Sequence, residues 1–175
     1  MEFQELIRQR RSVRDYKETG IEPEILREIL TRAQMAPSWK NSQTARCYVV
    51  SSGEKIRQLR EALPAFNQKS SANAAYIVTT FEKKISGHTD GKPDNELGDL
   101  WGAYDLGLHD SYLVLAAADA GYDTLIMGLR DPDRIRELLS IPDNEILVSV
   151  IAIGKRASEP VFRKRKDLSE TAEFF

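Results

Sequence analysis

Cysteine is almost absent from this chain. Cys47 stands alone, so no internal disulfide can form, and with only His88 and His109 beside it there is no zinc or iron–sulfur ligand set. Long apolar runs are also missing. Nothing approaches the roughly 18 to 20 consecutive apolar residues of a helical membrane span, and the N-terminus opens on a polar amphipathic stretch in place of a signal peptide. A cytoplasmic protein without membrane contacts is expected. Nor is there an excess of positive charge: 25 Lys and Arg against 27 Asp and Glu leave a net charge of -2, which argues against a general nucleic-acid binder. Finally, the glycine turns that cradle phosphates are lacking. No G-x-G-x-x-G follows a first strand, no P-loop Gly-Lys-Ser occurs, and there is no G-x-S-x-G elbow. A bound phosphate would have to be held by side chains.

What the sequence does contain is strong local positive charge. Between Arg8 and Lys17 five cations (Arg8, Arg10, Arg11, Arg14, Lys17) face one acid, Asp15. Between Lys155 and Lys166 six (Lys155, Arg156, Arg163, Lys164, Arg165, Lys166) face Glu159 alone. Such runs are either solvated faces or, at opposite ends of an acidic chain, two halves of one anion site. Phe3, Leu6, Ile7 and Arg10 recur at helical spacing, which puts Arg10 on the apolar face of a first helix. A cation there must reach out to water or meet an anion.

The second helix opens on Pro23, carries the stripe Ile25, Leu26, Ile29, Leu30 and Ala33, and is stopped by Pro37; a polar loop, Ser38 to Thr44, follows. Arg46 to Ser51 reads as a strand, Gly53 to Leu63 as a helix and Ala75 to Phe81 as a buried strand, while Ser86 to Asn95 reads as a surface loop with room to move. From about Glu96 to Ala120 runs a long helix, apolar on more than one side and closed by Gly121, suited to a central pillar or a subunit interface. Asp131 and Pro132 open a short helix that ends before Pro142, and Ile146 to Gly154 is a last strand buried on both faces. The alternation predicts one domain, residues 1–175, with a sheet covered by helices. His109 reads as a satisfied interior histidine and Cys47 as inert packing.

The run Arg10, Arg11, Ser12, Val13, Arg14 with Tyr16, the helix ending in Ala36, Pro37, Ser38, then Asn41 and Gln43, resembles the opening of the nitroreductase family. The resemblance continues through Asp105 and Gly107, the Leu115, Ala116, Ala117 helix, Gly121, Met127 and Gly128, and the basic C-terminal segment. It implies an α+β fold with a central, mainly antiparallel sheet flanked by helices, in an intertwined homodimer with FMN at the interface. By the same resemblance Arg10, Arg11, Ser12 and Arg14 would hold the phosphate and ribityl end, joined by Arg163 and Arg165. Pro37, Ser38 and Asn41 would pack on the isoalloxazine, with Gln43 in support. Asn67 and Lys69 would meet the pyrimidine side, and Leu125, Ile126, Met127 and Gly128 would run along the flavin edge, their amides near N5.

The implied activity is hydride transfer from NAD(P)H through flavin N5 to small electron-poor acceptors such as nitroaromatics and quinones, by a ping-pong course. No catalytic side chain is required, because the flavin carries the chemistry. Alternatives are another redox reaction on the same scaffold, such as dehalogenation or flavin cleavage, and a flavin-binding module without turnover. Trp39, directly after Ser38, departs from the family's small residue and either roofs the acceptor pocket or serves packing. Residues 81–95 leave little room for a helical lid.

Overall fold

The computed structural model describes residues 2–175. Six helices and six strands follow one another as α1 (Phe3–Gln9), α2 (Pro23–Ala33), β1 (Ala45–Val50), α3 (Gly53–Glu61), α4 (Ala65–Ser70), β2 (Ala75–Glu82), β3 (His88–Thr89), β4 (Lys92–Pro93), α5 (Leu100–Asp119), β5 (Asp123–Met127), α6 (Pro132–Leu139) and β6 (Glu145–Gly154). The main sheet has the order β1-β2-β6-β5, and every neighbouring pair is antiparallel. This is the α+β architecture that the sequence predicts.

Strands β2 and β6 are central, and their continuous apolar runs are explained by helices on both faces. Successive side chains alternate between the faces. Tyr76, Val78, Val150 and Ala152 enter one core with Val13, Leu59 and Ile135, from the N-terminal arm, α3 and α6. Ala75, Ile77, Ile151 and Ile153 enter the other, under Leu26 and Ile29 of α2 and Leu113 and Ala117 of α5. Each aliphatic side chain fully buried in these layers contributes about 1.5–3 kcal/mol. The pairing of β2 with β6 slips between Thr79 and Thr80: Thr79 stands opposite Ser149 and Thr80 opposite Leu147, so Val148 is the extra residue of a bulge.

Helix α5 sits close on the sheet because Gly102 has no side chain. A Cβ there would lie 2.3 Å from the Phe81 ring. The helix begins at Leu100, not Glu96, because Gly98 takes a positive φ of 48° and Asn95 Oδ1 accepts from the Leu97 N–H at 3.1 Å. Similarly, α2 ends at Ala33, ahead of Pro37. Residues 86–95 lie at the surface as expected, but as a hairpin tied to its surroundings: Ser86 is buried, Asn95 Oδ1 accepts from Trp101 Nε1 at 2.9 Å, and Lys40 reaches Thr89 and Asp94. No helix among the described residues is long and apolar enough to cross a membrane.

Both basic segments are fastened to the edge strand β5. The Val13 N–H donates to the Thr124 carbonyl at 3.0 Å, and Val13 and Tyr16 plug into the core, so the intervening arm cannot float free. After β6, Arg156 grips Asp123 through Nε at 3.0 Å and Nη2 at 2.5 Å. That hydrogen-bonded carboxylate holds the Arg156 guanidinium above its ordinary pKa. Arg156 is thereby committed to the fold and leaves the basic tail beyond it to other partners.

Candidate functional site

Helix α1 buries none of its residues in this chain. Its end nevertheless brings Arg10 into a cavity of about 630 Å³ between α1, α5, the β5–β6 edge and the tail, lined by Ile7, Arg10, Asp110, Ile126, Ser149 and Arg165 among others. Burial, then the nearby Arg165, then Arg11 hold the Arg10 guanidinium below its ordinary pKa. Among the described residues no carboxylate forms an ion pair with Arg10 or Arg165. Two guanidiniums from opposite ends of the chain thus face one hollow, whose one carboxylate, Asp110, is hydrogen-bonded to Thr79 and lies beside His109; planar guanidinium forks of this kind match phosphate oxygens.

The remaining basic candidates divide. Ser12, Arg14 and Arg163 line an adjacent hollow of about 390 Å³ together with Glu159. Arg14 Nη1 donates to the Ser12 carbonyl at 3.2 Å, and Arg165 Nη1 to the Arg163 carbonyl at 3.1 Å. Arg11 is occupied otherwise: its Nη1 donates to the Arg10 carbonyl at 2.7 Å, and its guanidinium lies 4.8 Å from the centre of the Phe162 ring.

A third cavity, about 350 Å³, lies between the end of α2, the following loop, β1 and α5, and is lined by Pro37, Ser38, Gln43, Thr44, Asp105 and His109 among others. The loop is held in an uncommon shape, with Lys40, Asn41 and Gln43 at φ values of 48°, 55° and 50°. Ser38 Oγ accepts from the Gln43 N–H at 3.0 Å, and Asp105 Oδ2 accepts from the Trp39 N–H at 2.9 Å and from Ser86 Oγ. One buried carboxylate thus clasps the loop and the hairpin to α5. Trp39 packs on Trp101 with ring centres 4.7 Å apart. Asn41 is exposed and stands outside the lining of this cavity.

Asn67 is buried and its Nδ2 donates to the Leu129 carbonyl at 3.1 Å, which ties α4 to the segment after β5. Lys69 is exposed and has no ion pair among the described residues. Leu125 and Met127 point into the core, whereas Ile126 between them is 50% exposed and lines the Arg10 cavity. Since backbone groups also alternate along a strand, the edge on which the Thr124 carbonyl meets Val13 presents the Ile126 N–H and C=O two residues later. Gly128 is exposed, with nothing within 4 Å of where a Cβ would be, and its carbonyl accepts from Arg130.

A model of the nitroreductase family matches residues 7–155. The chain belongs to that family. An Archaeoglobus fulgidus protein provisionally named an NADH dehydrogenase/NAD(P)H nitroreductase is 30% identical over 166 residues, covering 93% of this chain and 90% of its own. A nitroreductase family protein of Streptococcus pneumoniae shares the fold with a TM-score of 0.86 at 23% identity, covering 99% of this chain and 100% of that one. A protein of Exiguobacterium sibiricum, provisionally designated a nitroreductase and solved in complex with FMN, has a TM-score of 0.81 at 25% identity and covers 100% of this chain and 98% of its own.

In this nitroreductase family member the sequence underplays two residues, Asp105 and His109. Asp105 entered only as part of a motif, yet it is the clasp on the loop after α2. His109 is an interior residue with a partner, as expected, but it also lines a cavity. The spacing of Asp105 and His109, one helical turn apart on a largely apolar helix, is the signal in the sequence for a shared polar face. Among the described residues no group of three or more His, Cys, Asp or Glu is placed to hold a metal ion.

Proposed function

We propose that this protein is a single-domain, FMN-dependent oxidoreductase that carries reducing equivalents from NAD(P)H to small electron-poor acceptors, nitroaromatics and quinones among them, by a ping-pong course. The observation that carries the reading is the convergence of Arg10 and Arg165 on one hollow in which neither has an ion pair among the described residues, the Asp110 carboxylate there being turned to Thr79 and His109. A phosphate monoester is the anion that such a pair fits best, and the FMN named in the Exiguobacterium sibiricum structure carries one.

When bound, FMN supplies the redox chemistry, accepting a hydride at N5 and returning it to an acceptor. The protein's part is placement. Arg10 and Arg165 take the phosphate, with Ser12, Arg14 and Arg163 in the neighbouring hollow and Arg11 beside them, held on the Arg10 carbonyl and the Phe162 ring. Asn67, Lys69 and the outward backbone of Ile126 and Gly128 serve the ring's polar edge, while Leu125 and Met127 hold that strand in place from the core. Pro37, Ser38, Asn41 and Gln43 present a shaped loop to the ring of a second copy.

The homodimer is part of the proposal. Phe3 and Ile7 on α1, and Val161, Phe162, Leu168 and Phe174 along the tail, are all at least 46% exposed, an apolar surface suited to a second copy of this chain. The test is direct. Purified protein supplied with FMN is expected to be yellow, dimeric by light scattering, bleached by NAD(P)H under argon and recoloured by a quinone. A monomer that fails to retain FMN supplied in excess overturns the proposal.

A further inference from the structure

Buried polar side chains form a connected line between two of these cavities. His109 Nδ1 lies 3.2 Å from Asp110 Oδ1, Asp110 Oδ2 accepts from Thr79 Oγ1 at 3.1 Å, and Thr79 Oγ1 lies 2.9 Å from Ser149 Oγ. All of these side chains belong to buried residues. His109 opens on the cavity with Ser38, Gln43 and Asp105, while Asp110 and Ser149 line the cavity with Arg10 and Arg165.

The direction of each bond follows from the inventory of protons. A threonine hydroxyl has one proton, which Thr79 gives to Asp110, so Ser149 must donate to Thr79. The Asp110 carboxylate can only accept, so His109 Nδ1 carries a proton and donates it. In a ring fixed in this way Nε2 is the remaining nitrogen of a residue that lines the cavity, with a lone pair when the ring is neutral and a proton when it is charged. Thr44 lines the same cavity, 1% exposed, and its Oγ1 has no partner among the described residues, an orphan that a polar ligand would satisfy.

We infer that His109 Nε2 donates a proton to the acceptor bound in this cavity, and that Asp110, Thr79 and Ser149 are positioning residues for it. The inference rests on the redox reading above and adds the group that closes its proton balance. A quinone that takes a hydride has gained two electrons and one proton, and its second oxygen still needs a proton. The Nε2–H bond breaks as the O–H bond forms, and the bonding pair stays on Nε2. The imidazolium charge thereby cancels the negative charge that the hydride brought, and solvent at the cavity mouth restores the proton.

No neighbour competes for the task. The groups that face His109 are Asp105 and Asp110 on α5, with Cys47 and Arg46 from β1, while α2 contributes only Leu30, Ala33 and Gln34 to this cavity. Burial pushes the Cys47 thiol up to about 12, so it remains protonated and gives up no proton to an acceptor. Arg46 is engaged with Glu82, and Asp105 with Trp39 and Ser86.

The experiment separates the half-reactions. FMN-loaded protein is reduced with NAD(P)H under argon and mixed rapidly with benzoquinone, which needs a proton, or with ferricyanide, which takes an electron alone. H109Q is expected to slow benzoquinone reduction about 100-fold, the lower range of general acid catalysis, and to leave reduction by NAD(P)H and oxidation by ferricyanide within about twofold. D110N is expected to slow benzoquinone about 10-fold by releasing the ring.

A readout without turnover comes from the two histidines. In H88N protein free of flavin, ¹⁵N shifts of the remaining imidazole are expected to show the proton of the neutral ring on Nδ1, a preference that adding D110N abolishes. Equal slowing of both acceptors by H109Q, or of neither, overturns the inference, as does a neutral ring with its proton on Nε2. Wild-type protein that NAD(P)H fails to bleach instead overturns the underlying redox reading, and the inference with it.

Discussion

Replacing Arg10 by glutamine is expected to loosen FMN and, at the same time, to firm up the flavin-free protein. In the absence of an anion the Arg10 guanidinium is part-buried and faces Arg165 and Arg11, which is why its pKa falls below the ordinary value. A base whose folded pKa is depressed is penalised in its charged form at every pH below that value, so the charge destabilises the fold throughout the neutral range. Removing it should return a few tenths of a kcal/mol, with about 1 kcal/mol as a ceiling for so screened a site.

Binding moves the other way. A charge-assisted hydrogen bond to phosphate is worth about 1.5–3 kcal/mol, which is roughly a 10- to 100-fold weaker Kd for FMN in R10Q. At an FMN concentration about 100 times the wild-type Kd, the ligand stabilises by roughly 2.7 kcal/mol; a 30-fold weaker variant under the same conditions gains only about 0.9 kcal/mol. The difference corresponds to a thermal shift smaller by roughly 4–7 °C for a chain of this size. Flavin fluorescence titration gives the Kd, and unfolding scans with and without FMN give the shifts. R165Q should behave alike, because both guanidiniums face the same hollow. An R10Q protein whose FMN Kd stays within about twofold of wild type, or whose flavin-free form melts well below it, refutes the assignment.

Other predictions follow from packing and burial. G102A is expected to cost about 1–3 kcal/mol in urea unfolding, since its Cβ meets the Phe81 ring at 2.3 Å, and F81L should recover part of that loss. D105A leaves the Trp39 N–H and the Ser86 hydroxyl without their acceptor, at about 1–3 kcal/mol. Because Trp39 and Trp101 are the only tryptophans and pack together, a red-shifted emission should report the released loop, and an unchanged spectrum would refute the clasp. The Cys47 thiol, raised from 9.0 to about 12 by burial, favours its neutral form in the fold. That contribution is complete below pH 9 and is lost as pH rises toward 12, so C47A should flatten the fall of the urea midpoint in that range. Rapid modification of the native thiol by Ellman's reagent at pH 8 would contradict it.

Much of the scaffold is legible in the residues because its elements are locally punctuated. Pro23 and Pro132 start helices, Gly121 ends one, and the apolar runs of β2 and β6 identify strands covered on both faces. Helix α4 escapes because six residues give no periodicity, and the 86–95 hairpin because glycine and aspartate signal a turn without saying what holds it. Phe3 and Ile7 of α1 predict a buried stripe, yet the helix buries none of its residues within its own chain. At the site, the two basic runs leave a solvated face and a shared anion site equally open, and it is the resemblance to the nitroreductase family that pairs Arg10 with Arg165. The diversion of Ser12, Arg14 and Arg163 to the next hollow, and of the Asn67 amide to Leu129, depends on tertiary distances that no local pattern encodes. The outward aim of Ile126 between inward Leu125 and Met127 follows from strand alternation once β5 is known to be a strand.

The irregularity at Val148 has a consequence for how this sheet tolerates change. Neighbours along a regular strand look in opposite directions, but Val148 and Ser149 both face the cavity with Arg10, because one supernumerary residue uncouples the two ends of β6. Excising Val148 would restore an even ladder and rotate the 145–147 end through half a turn. Glu145, now accepting from Tyr48 and Thr80, would be carried to the opposite side of the sheet, beneath α5. The irregular residue therefore fixes where this strand's polar side chains point, and its loss would be felt across the whole sheet.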